Sequence, residues 1–72
     1  MKFRYFIAGR RPVYLIEYHD GSLDCYALDW MTATMVRDLS YLSQIANGDS
    51  EIIEVNESTF SNAVLSIPSR VN

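Results

Sequence analysis

The sequence predicts an α+β fold. The expected form is a small two-layer sandwich: a three-stranded antiparallel meander plus a fourth short strand, element order β-β-β-α-β-α, with both helices on one face. Three observations carry this. Runs rich in aromatic and β-branched residues fill 2–8, 13–19 and 22–28, punctuated by Gly9-Arg10-Arg11-Pro12 and Asp20-Gly21. Met35, Leu39, Leu42 and Ala46 then recur at helical spacing. Phe60, Ala63, Val64 and Ile67 form a second stripe with the i, i+3, i+4, i+7 pattern.

Each element has a local reason. Asp20-Gly21 reads as a two-residue type I′ turn, in which both central residues need positive φ. Asp29 reads as the cap of a helix over 30–46, its carboxylate accepting from free first-turn amides. Asn47-Gly48 ends that helix, because glycine enters the left-handed region without a steric penalty. A short strand over 51–56 follows, which the helical crossover allows to run parallel to either the third or the first strand. Asn56 or Ser58 caps a helix over 59–66, which Pro68 stops. The 72 residues hold one expected domain, 1–68, and a frayed tail, 69–72.

The turn fixes an expected register. Pairing His19 with Ser22 places the rows Phe3/Tyr18/Leu23, Tyr5/Ile16/Cys25 and Ile7/Tyr14/Ala27 on one uncharged face, the expected core. Two helices side by side span about 20 Å, enough to roof four strands on that face alone. The opposite face is then open; the alternative is that the second helix wraps over it and makes it core. It carries the apolar residues Phe6, Val13, Leu15, Tyr26 and Leu28 beside a row in which Arg4 bridges Glu17 and Asp24. An exposed patch on the order of 300 Å² is the size that marks interaction sites. These eight residues form the expected partner-binding surface.

Charge is unevenly spread. Residues 1–16 carry Lys2, Arg4, Arg10 and Arg11 and no acid, whereas 17–57 carry all nine acids against Arg37; the net charge is −3. Such asymmetry steers charged partners. No apolar run is long enough to span a bilayer, and Met1-Lys2-Phe3-Arg4 leads into alternation, not a signal-peptide block. The single cysteine, Cys25, suits a reducing cytoplasm and cannot build a zinc site.

Chemistry-bearing patterns are sparse. The register sets His19 and Cys25 on opposite faces, which denies a nucleophile–base pair. Glu17 and Asp24 lie on an open face without the pocket that would push two carboxyl pKa values apart. The glycines sit at turns and form no phosphate loop, and Asp20-Gly21 lacks calcium-loop spacing. Asn56-Glu57-Ser58 matches a glycosylation acceptor only formally. The expectation is therefore a non-catalytic protein-interaction module, an inhibitor or adaptor of the kind phages and other mobile elements encode. It needs no cofactor, metal, membrane or small-molecule substrate, and acts on a protein partner or on a second copy of itself. The alternative is weak single-stranded nucleic-acid binding through Lys2, Arg10 and Arg11, with Arg4 and Phe6 on the sheet. Six basic residues and a pI near 4.8 weigh against it.

Overall fold

The structure, a computed structural model, describes residues 1–67; the stop expected at Pro68 and the tail expected over 69–72 lie outside the described residues. Five strands form one open antiparallel sheet with two helices, so the α+β class and the meander hold. The strands are β1 (Lys2–Ala8), β2 (Arg11–Glu17), β3 (Leu23–Asp29), β4 (Thr34–Arg37) and β5 (Ile52–Val55). The helices are α1 (Tyr41–Ala46) and α2 (Glu57–Leu65), and the strands lie in the order β4-β3-β2-β1-β5.

The first turn is shorter than expected. Ala8 pairs with Arg11, leaving Gly9-Arg10 as a two-residue loop with only Gly9 at positive φ, the pattern of a type II′ turn. Pro12 therefore lies inside β2, one residue outside the β2–β3 ladder that starts at Val13 and Ala27; with no N–H to donate towards β3, proline sits where that ladder ends.

The second turn is longer. Gly21 N–H donates to the Tyr18 carbonyl and Tyr18 N–H to the Ser22 carbonyl, so His19-Asp20-Gly21 is a three-residue loop. Of these only Gly21 has positive φ, at 88°, which fits the left-handed position of such a loop and rules out type I′. Asp20 locks it by accepting from Ser22 N–H at 2.9 Å. The extra residue moves the β2–β3 register by one: Leu15 faces Cys25 and Ile16 faces Asp24. Every side chain of β3 thereby changes face relative to the expected register.

The expected helix over 30–46 is broken into a loop, a short strand and a shorter helix. Asp29 does accept from an amide two residues on, Met31 N–H at 2.9 Å, but this opens a hairpin loop closed by Ala33 at φ 57°. Thr32, Thr34 and Val36 supply β-branched alternation, and Thr34–Arg37 pairs with β3. Only Tyr41–Ala46 is left helical, ending at Asn47-Gly48 as expected. The additional strand reverses the chain once more. β5 therefore joins the β1 edge antiparallel, and not parallel as the simple crossover allows.

The helices lie on opposite faces, correcting the expectation of a single roofed side. α1 sets Tyr41, Leu42 and Ile45 on a buried cluster of Phe6, Val13, Leu15, Cys25 and Ala27. Small Cys25 and Ala27 beside larger neighbours leave room for those three side chains over the sheet. α2 lies on the other face, against β1 and β2.

Candidate functional site

The face beneath α2 is built around a row that crosses all five strands. Arg37, Tyr26, Tyr14, Tyr5 and Val55 are direct cross-strand neighbours in turn. Direct neighbours on one face have Cβ atoms about 5 Å apart, close enough for rings to stack. The Tyr14 and Tyr26 rings do so, with centroids 5.0 Å apart and planes 11° from parallel. Phe3 lies two residues along β1 from Tyr5, hence on the same face, with its centroid 6.5 Å from Tyr5 and 6.0 Å from Tyr14.

α2 closes one side of this cluster. Asn56 caps the helix by accepting from Thr59 N–H at 2.8 Å, which sets the phase that turns Phe60 onto the sheet. Its ring centroid is 4.9 Å from Tyr5 and 6.1 Å, edge on, from Tyr14. Nine residues of helix cover only part of the face, and Phe3 remains 45 % exposed. Between helix and sheet lies a cavity of about 260 Å³ walled by Phe3, Tyr5, Tyr14, Phe60 and Ser61, with Glu57 at its rim. Glu57 stands in the first turn of α2, and no hydrogen bond or ion pair engages its carboxylate among the described residues.

At the far end of the row Arg37 Nε donates to Asp24 Oδ1 at 2.7 Å. This bond and, secondarily, Cys25 N–H hold the Asp24 carboxyl below the usual carboxylate range. Desolvation raises the Tyr14 phenol, helped by the neighbouring Tyr26 and Asp24. The row thus has three tyrosines at its centre and the Arg37–Asp24 ion pair at one end, and the Glu57 carboxylate, without a partner among the described residues, lines the cavity beside Tyr5.

The expected interaction patch is redistributed. Phe6 (4 % exposed), Val13 (0 %) and Leu15 (4 %) belong to the core under α1, and Leu28 (2 %) is buried on the aromatic face, so none of the four presents a surface. The cause for the first three is α1 itself; for Leu28 it is the one-residue register change. Tyr26 is half-buried in the aromatic row. The expected Arg4–Glu17–Asp24 network is split for the same reason. Asp24 pairs with Arg37 on the aromatic face, while Arg4 bridges Glu17, at 3.6 Å, and Glu54, at 2.8 Å, on the other.

The residues of the nucleic-acid alternative do not converge. Arg11 donates to the Tyr41 hydroxyl at 3.1 Å and lies over the Trp30 ring, Lys2 is at the opposite end of β1 from Arg10, and buried Phe6 offers no base a stacking surface. Cys25 is buried, and desolvation pushes its thiol up to about 11, which leaves it protonated. His19 sits in the β2–β3 turn, within 2.7 Å of the amino terminus. Among the described residues no three His, Cys, Asp or Glu side chains gather as a metal site would require, and no helix is long and apolar enough to cross a membrane.

Phe3, Tyr5 and Tyr14 read from sequence as roofed core, and Phe60 as a helix stripe. The signal that places them together was present: only a register pairing residues 14 and 26 aligns three tyrosines in one row. No protein-family model, curated protein or solved structure matches this chain.

Proposed function

We propose that this chain is a small non-catalytic protein-interaction module that docks a protein partner on the aromatic face of its sheet. The observation that carries the reading is the row Tyr5–Tyr14–Tyr26 with Phe3, left partly open by a nine-residue α2. Tyrosine and phenylalanine concentrate at interface cores, since they give large contact area for few frozen torsions and tyrosine adds a hydroxyl for polar contacts. Rings already stacked on one another lose little further freedom on binding. A non-catalytic role is supported by the protonated, buried Cys25 and by carboxylates engaged in turns and ion pairs. A binding surface with no chemistry beside it suits an inhibitor or adaptor, and the lone unpaired cysteine suits the cytoplasm.

The test uses three variants of the whole chain: Phe3→Glu, Tyr26→Ala and, as control, Leu65→Glu at a site 81 % exposed on α2. Each is first shown to melt cooperatively. The expected result is that a protein captured from native lysate by the parent chain is lost with the first two and kept with the third. Capture unchanged by Phe3→Glu and Tyr26→Ala overturns the reading. Light scattering on the same set identifies a second copy as the partner if a dimer forms that Phe3→Glu dissolves.

A further inference from the structure

We infer that the aromatic cavity beside α2 is a receptor for one cationic side chain, an arginine guanidinium, presented by the partner. The inference rests on the interaction reading above and specifies its chemistry. Three features converge. The wall consists of the rings of Phe3, Tyr5, Tyr14 and Phe60 around a space of about 260 Å³, open to solvent where Phe3 is 45 % exposed. A cation is attracted to a ring face within about 6 Å of its centroid. The Phe3 and Tyr14 centroids are 6.0 Å apart, and Phe3 and Tyr5 6.5 Å, so one cation seated above such a pair reaches two rings at once. Finally, Glu57 stands at the rim with its carboxylate unengaged among the described residues, supplying the charge that rings alone lack.

The chain shows the same chemistry in miniature elsewhere. Arg4 and Arg11 each lie over an aromatic ring, Phe6 at 5.4 Å and Trp30 at 5.7 Å. The cavity has the rings and the acid but no cation of its own among its lining residues. Arginine fits better than lysine because its flat, weakly hydrated guanidinium stacks on a ring while its edge donates to a carboxylate.

The experiment is a titration of the full chain, followed through the ring resonances of Phe3, Tyr14 and Phe60, with N-acetyl-arginine amide at low ionic strength. N-acetyl-citrulline amide, of similar shape but uncharged, is the matched probe. The expected result is saturable shifts with the arginine compound and binding about two- to fivefold weaker with the citrulline compound. Glu57→Gln and Phe3→Ala, both at exposed positions, each weaken the arginine compound by a similar factor while the chain stays fully folded at the temperature of the titration. Equal binding of the two compounds, no shift with either, or indifference to both variants overturns the inference. A partner lost with Phe3→Glu but retained with Glu57→Gln also sinks the cation site while leaving the interaction reading intact.

Discussion

The two faces of the sheet solve the same problem with different materials. Under α1 the contacts are largely aliphatic, with the rings of Phe6 and Tyr41 among them, and Tyr41, Leu42 and Ile45 of that helix complete a cluster in which Phe6, Val13 and Leu15 lie almost wholly out of water. Under α2 the contacts are rings against rings, and a longer helix leaves them only half covered. Aliphatic side chains gain order from being surrounded, whereas stacked aromatics order one another and tolerate an open side. A sheet this small can therefore concentrate its stability on one face and present a stiff, partly hydrated surface on the other.

The strongest way to break that comparison is to remove side chains from each face. Leu15→Ala should cost about 3 kcal/mol, because α1 and the strand neighbours cannot fully collapse into the space left. Phe3→Ala should cost about 1 kcal/mol or less, since that ring is already 45 % exposed. Urea denaturation of both variants measures the difference. Similar losses would mean that the aromatic face is as much a folding core as the other.

A second effect comes from Cys25 in the closed face. Its thiol is raised to about 11 by burial, so as pH rises past the ordinary thiol range the unfolded chain loses this proton while the folded chain keeps it. Stability should therefore be flat through neutral pH and fall between about pH 9 and pH 11. Cys25→Ala should lower stability at pH 7 and flatten this alkaline fall. The residual slope would report Tyr14, whose raised phenol acts with the same sign at higher pH. An unchanged slope in Cys25→Ala would show that the thiol is not the titrating group.

Legibility from sequence followed how many residues each feature rests on. The first three strands, the Asn47-Gly48 helix end and the Asn56 cap were readable because several residues agree at each. β4 was not, because Met35, Leu39 and Leu42 have helical spacing while Thr32, Thr34 and Val36 alternate through the same segment. Pairing with the free edge of β3 decided for the strand, and that is tertiary information. The candidate site turned on a single turn residue. Asp20-Gly21 suits both a two-residue loop and a three-residue loop with glycine in the left-handed position, and the choice moves Tyr26 from one face to the other.

That turn offers a smaller test, since it sets which rings share a face. Gly21→Ala should cost about 1 kcal/mol: a Cβ at φ 88° is strained although nothing lies within 4 Å of it. Ala33→Gly, in the β3–β4 loop at φ 57°, should be neutral or stabilising by a few tenths of a kcal/mol, as relieved strain offsets added chain entropy. Thermal melts of both variants check the signs. A neutral Gly21→Ala would mean that another feature sets the register.

The smallest effect lies where the closed face meets solvent. Arg4 grips Glu54 of the edge strand β5 through two bonds, Nε to Oε2 at 3.0 Å and Nη2 to Oε1 at 2.8 Å, and approaches Glu17 at 3.6 Å. The forked geometry favours the charged pair, holding the Glu54 carboxyl below its usual range, but both side chains remain well exposed. Arg4→Met keeps an apolar stem and removes the guanidinium, both its charge and its contact with the Phe6 ring at 5.4 Å. The expected loss is about 0.5 kcal/mol at low salt, shrinking towards zero near 1 M, where the screening length falls to about 3 Å. Because the folded Glu54 pKa is depressed, its contribution is present at neutral pH and lost as pH falls below the ordinary carboxylate range, so parent and variant should converge in acid. A larger loss that ignores both salt and acid would mean that Arg4 acts mainly by packing over Phe6, extending the closed face one residue further towards its edge than burial alone suggests.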